Sequence, residues 1–269
     1  SQYEFAIANN NNFRTSVNIS VGCDKECTYC IVPSTRGDEI SIPPEMIVSQ
    51  IQKAVDNGVV EVALLGQNVN SYGKRFSNNA DKYSFTQLLQ DISKIDGLKR
   101  IRFTSPHPLH MDDDFIEEFA RNPKISKCIH MPLQSGSTKI LKAMKRGYTK
   151  EWFLNRALKM RELIPDLRIT TDIIVAFPGE THEDFLDTLD VVNQVKFDQI
   201  FNFKYSPRPN TKALELKDLE IEDSIGSARL DELIELHKRY LENSMPDMIG
   251  KTVNVLVDSL KPNGEVSGY

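Results

Sequence analysis

Short β-branched apolar runs alternate along the chain with longer segments whose apolar residues recur every three or four positions. The run TSVNISV at 15–21 is typical of a buried strand. In a later segment Ile47, Ile51 and Ala54 share one face of a helix, and Gly58 is its expected C-terminal stop. This strand-to-helix rhythm occurs six times. It predicts an α/β fold whose six parallel strands carry the helices outside the sheet.

The number of units restricts the architecture. Six units are too few for a closed eight-fold barrel, so we expect a partial (β/α)6 barrel with parallel strands. In such sheets the chemistry takes place where the strands end. The six segments at that edge are richer in Gly, Pro, Ser and polar residues than the strands before them. They read VGC, LLGQN, TSPHP, PLQSGS, AFPGE and YSPRP.

The end of the chain has a different period. Val253, Val255 and Val257 occupy alternate positions, and the Pro-Asn-Gly turn at 262–264 predicts a hairpin. A lone hairpin is marginally stable. We therefore expect residues 1–249 to form the α/β domain and residues 250–269 to begin a second, all-β module.

Composition excludes few function classes. Apolar residues make up 40% of the chain and charged residues 26%, which is ordinary for a globular protein. The net charge of −5 gives no general attraction to nucleic acid. No apolar run approaches the roughly 18 residues that cross a bilayer, and the first residues do not resemble a secretory signal. Because they also lack a starting Met, we expect a piece of a longer protein.

Three of the four cysteines lie within eight residues, as Cys23-x3-Cys27-x2-Cys30 after the first strand. Clustered cysteines in a reducing compartment bind metal or carry out chemistry more often than they crosslink. Three thiolates from one loop would leave one iron of a cubane iron–sulfur cluster open to another ligand. A structural zinc site completed by Cys128 or a histidine is the alternative. Cys128 itself falls within a predicted strand, where a free cysteine is usually small, apolar and buried.

With Tyr29 before the third cysteine and six βα units around it, this triad resembles that of the radical S-adenosylmethionine superfamily. Over nearly its whole length the chain also resembles the methylthiotransferase family, which converts C–H bonds into C–SCH3. The stretch LLGQNVNSYG favours the MiaB type, which modifies isopentenylated adenosine beside the tRNA anticodon at ring carbon 2. The other similar stretches are GCDKECTYCIVPSTRG, HMPLQSGSTKILKAMKRGYT, TTDIIVAFPGET and YSPRPNTKA.

The resemblance implies cofactors and partners. The cysteines would be the metal ligands and catalytic residues: they would hold a 4Fe–4S cluster whose open iron binds S-adenosylmethionine, the source of a 5′-deoxyadenosyl radical. The substrate would be tRNA and the reductant a protein of the flavodoxin or ferredoxin type. The enzyme would be a cytoplasmic monomer that binds no membrane.

The resemblance also indicates missing parts. Members of the family have an N-terminal domain with three further cysteines and a second 4Fe–4S cluster, and their C-terminal hairpin begins a small β-barrel called TRAM. We expect this chain to hold the radical cluster and cofactor without completing methylthiolation. Two alternatives remain open: methylthiolation of a ribosomal-protein aspartate or of threonylcarbamoyl-adenosine in tRNA, and a non-catalytic RNA-binding module that holds zinc.

Residue roles are carried over where positions match. Tyr29 would lie near the cofactor's adenine, with ordinary packing as the alternative, and Arg208 would hold a carboxylate or phosphate. The other expected cofactor-binding positions are Gly66, Gln67, Asn68, Ser105, His107, Gln134, Ser135 and Ser137. A structural role is the alternative for His107. The expected substrate-binding positions are Arg36, Lys142 and Arg146.

The three substrate-binding positions have structural alternatives. Lys142 and Arg146 belong to a basic helical stretch that also contains Lys139, Lys145 and Lys150 and would contact RNA phosphates. A solvated helix face is the alternative for that stretch, and a surface ion pair is the alternative for Arg36.

Two positions depart from the family pattern. Ala176 stands where the family has glycine at the end of the fifth strand, which adds a methyl group where close approach was possible. Asn210 also replaces a glycine, and asparagine tolerates left-handed backbone nearly as well as glycine does.

Overall fold

The apolar runs form parallel strands whose order in the sheet follows their order in the chain. The computed structural model describes residues 13–76 and 83–268. The strands in these ranges are β1 (Arg14–Asn18), β2 (Ser20–Val21), β3 (Ile40–Ser41), β4 (Glu61–Leu65), β5 (Arg100–Phe103), β6 (Cys128–His130), β7 (Arg168–Val175), β8 (Gln199–Lys204), β9 (Val257–Leu260) and β10 (Val266–Gly268).

Helices connect the parallel strands. They are α1 (Val32–Arg36), α2 (Pro44–Asp56), α3 (Phe85–Ser93), α4 (Asp113–Arg121), α5 (Thr138–Ala143), α6 (Lys150–Leu163), α7 (His182–Val195) and α8 (Asp223–Ser244). Short 3₁₀ segments occupy Val69–Ser71, Pro108–His110, Lys212–Leu219 and Met245–Met248.

Two three-stranded parallel sheets, β1-β4-β5 and β6-β7-β8, make up the α/β part. Ile101 of β5 joins them: its N–H donates to the carbonyl of Lys124 at 2.7 Å, and its carbonyl accepts from Ser126 N–H at 2.9 Å. The six parallel strands therefore follow one continuous order. No ladder between β1 and β8 closes the sheet within 13–76 and 83–268. The predicted α/β fold of six parallel strands is confirmed, as an open sheet.

One face of each strand is buried beneath the helices. In β7 the buried positions alternate strictly, with Ile169, Thr171 and Ile173 covered and the residues between them more open. Helix α3 illustrates how a helix is anchored on the buried face of the sheet. Ser84 and Gln87 form a reciprocal capping box at its start, and four apolar side chains of the helix enter the core. These are Phe85, Leu88, Leu89 and Ile92.

The end of the chain forms the predicted hairpin. Strands β9 and β10 pair antiparallel on either side of the turn at 262–264. The first strand begins only at Val257, however, and Val253 and Val255 precede it as exposed residues. The division at residue 249 into an α/β domain and a second module stays a prediction.

Cys128 corrects an expectation. It is exposed and is the first residue of β6 instead of a buried mid-strand residue. The other three cysteines follow the opposite, C-terminal end of the sheet, so Cys128 is placed too far away to complete a metal site with them. As for bilayers, none of the helices seen in the described ranges is both long and apolar enough to cross one.

Candidate metal and cofactor site

The loop that carries the three clustered cysteines is held at its base by a small antiparallel pair, β2 and β3. Gly22 stands just before Cys23 with φ of 83°. A Cβ there would lie 2.0 Å from the carbonyl oxygen of Asp38, so only glycine fits. Across the base of the loop, Cys23 N–H donates to the carbonyl of Gly37 at 3.1 Å. The loop therefore leaves the sheet in one fixed direction.

Contacts from three other parts of the chain fix the loop further. Gln67, after β4, accepts the Gly22 N–H on its Oε1 at 2.8 Å. Asp24 accepts the N–H of Glu39 at 2.8 Å. At the far side, Thr28 donates its hydroxyl to the carbonyl of Ala143, at the end of α5, at 3.0 Å. Gln67 Oε1 thus holds the loop, and Gln67 also lines the cavity of the three cysteines, so its expected role toward a cofactor stays a prediction.

All three clustered cysteines line one cavity of about 270 Å³ at the C-terminal edge of the sheet. Burial raises the pKa of Cys23 and of Cys30 above the usual thiol range. No three His, Cys, Asp or Glu side chains in the described ranges converge on a point where one metal ion would fit. A cubane cluster accepts each thiolate on a different iron. Thiols spread around a cavity therefore fit a cluster better than a single zinc ion.

Two residues that line the same cavity carry buried polar groups without partners. The side-chain oxygen and nitrogen of Asn68 and the Nε2 of His107 are buried with no hydrogen-bond partner. Burial, together with the charge of Arg146, lowers the pKa of His107 far below its usual range, so the ring is neutral. Its Nδ1 accepts from Leu109 N–H at 3.2 Å, which leaves Nε2–H as a donor. Buried groups of this kind indicate a polar ligand.

The remaining wall of this cavity includes Gly66 and Ser105, as the sequence predicted for cofactor contacts. At Gly66 a Cβ would lie 2.5 Å from the Ser20 hydroxyl, so glycine permits this close approach. Ser105 has φ of 53°, a left-handed conformation that is unfavourable for a residue with a side chain. Strained backbone of this type clusters at functional sites.

A second cavity of about 310 Å³ lies next to the first, and Tyr29 and Cys30 line both. Gln134, after β6, also lines it and has φ of 71°. Arg208, after β8, is exposed and lies in the same wall. Four of the predicted cofactor-site and metal-site residues therefore meet here. Their roles toward a cofactor stay a prediction.

Ser135 and Ser137 were expected to contact cofactor or substrate, and the structure gives them other partners. Ser137 is the N-cap of α5 and donates its hydroxyl to Asp184 at 2.6 Å. Ser135 accepts the N–H of Ser137 and lies against Thr188. Both serines are buried. They hold α5 against α7 and line neither cavity.

The expected phosphate-binding face does not form, because the chain turns between α5 and α6. Arg146 is 5% exposed and points inward to the cysteine cavity. Lys142 is exposed on α5, and Arg36 is exposed at the end of α1. The other basic residues of the stretch make ion pairs with acids. These pairs are Lys139–Asp184, Lys145–Glu26, Lys150–Asp187 and Lys150–Asp190.

The inner face of the sheet carries a group that the sequence analysis missed. Phe201 and Phe203 stand on one face of β8 and are 42% and 50% exposed, and Phe203 lines the second cavity. On neighbouring strands His130 Nε2 lies 3.2 Å from an oxygen of Asp172, and the His130 and Phe201 rings are 5.9 Å apart. The F-x-F alternation in QIFNFK was the available signal, since it places two rings opposite buried Ile200.

We compared this chain, with its cysteine loop at the C-terminal edge of an open parallel sheet, with known protein families. The profile of the Radical SAM superfamily matches residues 17–192. This chain belongs to the radical SAM superfamily.

Two curated relatives match the chain from end to end. The tRNA-2-methylthio-N(6)-dimethylallyladenosine synthase of Aliarcobacter butzleri is 79% identical over 269 residues. The protein of the same name from Nitratiruptor sp. is 57% identical over 268 residues. The chain covers 62% of the length of each.

Solved structures of this superfamily share the fold. TsrM, a radical S-adenosylmethionine methyltransferase from Kitasatospora setae, superposes with a TM-score of 0.59 and 16% identity, over 74% of this chain and 38% of that one. The coproporphyrinogen III oxidase HemN of Escherichia coli gives 0.57 and 15%, over 85% of this chain and 52% of that one. At such identities the likeness shows the fold alone.

Proposed function

We propose that this chain is the radical-generating part of a longer tRNA methylthiotransferase. The whole protein would convert the C–H bond at carbon 2 of an isopentenylated adenosine into C–SCH3. The observation that carries the proposal is one cavity lined by Cys23, Cys27 and Cys30 together with Asn68 and His107, two residues whose side chains hold buried, unpartnered polar groups. The names of the two relatives, at 79% and 57% identity, support the substrate class.

Each group in the cavity has a role in this proposal. The three cysteines would hold a 4Fe–4S cluster, and the Nε2–H of His107 and the amide of Asn68 would bind polar groups of S-adenosylmethionine. When bound, the cluster and S-adenosylmethionine supply one-electron chemistry that removes a hydrogen atom from an unactivated carbon. The protein would position these groups and exclude water from them, and Tyr29, which lines both cavities, would lie between the two bound molecules.

The second cavity would receive the modified base. The exposed rings of Phe201 and Phe203 offer a stacking surface of the kind that proteins use for an unstacked nucleobase. His130 and Asp172 lie beside these rings and offer hydrogen bonds to a purine edge. Arg208, at the mouth of this cavity, would contact a phosphate.

The rest of the proposal concerns parts outside this chain. The relatives are longer, and the second 4Fe–4S cluster and a complete TRAM barrel would belong to the remainder. One-electron reduction would come from a flavodoxin- or ferredoxin-type protein. We expect the enzyme to be a monomer and to act in the cytoplasm, where tRNA is available.

The test uses the full-length protein, reconstituted with iron and sulfide without oxygen. The enzyme is incubated with S-adenosylmethionine, reductant and isopentenylated tRNA, and the tRNA nucleosides are measured by mass spectrometry. We expect the methylthio nucleoside from the wild type and from Lys53→Ala, which changes an exposed residue of α2 that lines neither cavity, and none from Cys27→Ala. Modification of a ribosomal-protein aspartate or of threonylcarbamoyl-adenosine instead would replace the proposed substrate. Tightly bound zinc with no modification of any of these would overturn the enzyme assignment.

A further inference from the structure

One buried arginine touches a cysteine of the triad. Arg146 Nη1 lies 3.3 Å from Cys27 Sγ. Its Nη2 donates to the carbonyl of Pro132 at 3.1 Å, and its Nε donates to the Tyr148 hydroxyl at 3.1 Å. All three nitrogens of the guanidinium therefore have a partner, and the side chain is held in one orientation.

The local backbone is shaped to deliver this side chain. Lys145 has φ of 54° and Gly147 has φ of 77°, so the residues on both sides of Arg146 are left-handed. This conformation is unfavourable for Lys145, which has a side chain. The Tyr148 hydroxyl is fixed in turn by the carbonyls of Pro132 and Leu133, at 2.9 and 3.1 Å. A surface arginine would need none of these arrangements.

The arginine turn and the cysteine loop are also joined directly. Thr28, next to Cys27, donates its N–H to the carbonyl of Met144 at 3.1 Å and its hydroxyl to the carbonyl of Ala143 at 3.0 Å. An ion pair joins Lys145 to Glu26 at 3.0 Å. These contacts fix the distance between the guanidinium and the Cys27 sulfur. The contact between Arg146 and Cys27 therefore follows from how the arginine turn and the cysteine loop pack together.

A guanidinium is permanently charged and forms strong hydrogen bonds to anions. In a buried site a fixed positive charge favours whichever state of a neighbouring group carries more negative charge. A cluster held by Cys27 gains one negative charge when a reductant protein of the flavodoxin or ferredoxin type gives it an electron. Hydrogen bonds to cluster sulfurs and nearby charge are among the factors that set reduction potentials.

We propose that Arg146 is a positioning residue that raises the reduction potential of the cluster through its hydrogen bond to the Cys27 thiolate. The inference rests on the proposed function, because it requires a cluster on the triad. It replaces the expected role of Arg146 in binding RNA phosphate. A higher potential of the cluster would make its one-electron reduction by the reductant protein more favourable.

The test measures the midpoint potential of this 269-residue chain, reconstituted without oxygen, by a redox titration that follows the electron paramagnetic resonance of the reduced cluster. In Arg146→Gln we expect the equilibrium constant for reduction to fall at least tenfold, a shift of about −59 mV for one electron. Arg146→Lys keeps the charge but not the forked geometry, so its potential should fall less. The matched control is Arg156→Gln, which removes a charge on α6 that is paired with Asp113 of α4.

Only molecules that hold a cluster contribute to the signal, so partial loading does not affect the measured potential. An unchanged potential in Arg146→Gln, or an equal shift in Arg156→Gln, overturns the inference. If Arg146→Gln takes up no cluster, Arg146→Lys decides: a measurable fall supports the inference, and no fall overturns it. If the wild-type chain takes up no cubane cluster, the proposed function itself is wrong. If its cluster responds to S-adenosylmethionine but the midpoint potentials of the variants are unchanged, only the role of Arg146 is wrong.

Discussion

Asp184 connects two helices behind the candidate site, and its contribution to stability is open to direct measurement. It accepts the hydroxyl of Ser137 at 2.6 Å, the ammonium of Lys139 at 2.7 Å and the N–H of Thr181 at 2.9 Å. Its side chain is only 10% exposed. Burial alone would raise the pKa of Asp184, but these hydrogen bonds outweigh burial and lower the pKa to about 2.

The size of the effect follows from that pKa. The difference between 3.8 and about 2, at about 1.4 kcal/mol per pKa unit, corresponds to about 2.5 kcal/mol of folding free energy. Because the pKa of Asp184 is lower in the folded state, this stabilisation is fully present above the unfolded value of 3.8. It is lost as the pH falls toward about 2, and about half should remain at pH 3.

The perturbation is Asp184→Asn, and the assay is urea unfolding of both proteins at several pH values between 7 and 3. We expect the variant to be less stable by about 2.5 kcal/mol at pH 7, with the difference shrinking to about half at pH 3. Glu183→Gln is the matched control, since Glu183 lies in the same first turn of α7 but is exposed. A difference that does not change with pH, or an equal loss in Glu183→Gln, would show that the contacts of the Asp184 carboxylate do not stabilise the fold in this way.

Three further substitutions test separate parts of the structure. Ala176→Gly should stabilise the chain by about 1 kcal/mol in urea unfolding, because Ala176 has φ of 57°, and the idea fails if stability falls. Arg229→Met should lower the free energy of unfolding by about 3–5 kcal/mol, because it leaves the buried Glu180 without its ion-pair partner. Adding Glu180→Gln should recover part of that loss, and strictly additive losses would argue against the pairing. Phe203→Ala should lower kcat/KM of the full-length enzyme for tRNA at least tenfold by removing a stacking surface, whereas Phe203→Tyr should retain activity; equal activity in both would exclude stacking there.

The sequence predicted the parts of the fold that depend on periodicity. The six parallel strands followed from the apolar repeats, and the C-terminal hairpin followed from the alternating valines and the turn at 262–264. The pair β2 and β3 was missed because two residues are too few to show a period. The two departures from the family pattern at Ala176 and Asn210 both have left-handed backbone, at φ of 57° and 64°.

The site was harder to predict, because side-chain direction depends on tertiary contacts. The family resemblance indicated the three cysteines, Asn68 and His107 as site residues, and all five line one cavity in the structure, while their roles stay a prediction. Basic residues three or four apart indicated a helix face, yet the left-handed turn at Lys145 rotates Arg146 into the interior. No local pattern encodes that rotation.

Electron paramagnetic resonance of the reconstituted, reduced chain, recorded with and without S-adenosylmethionine, would show whether Cys23, Cys27 and Cys30 hold a cluster with an open iron. The proposed cluster site predicts a single 4Fe–4S signal that changes when S-adenosylmethionine is added and disappears in Cys27→Ala. A signal indifferent to S-adenosylmethionine, or a chain that holds zinc and takes up no cluster, would contradict it.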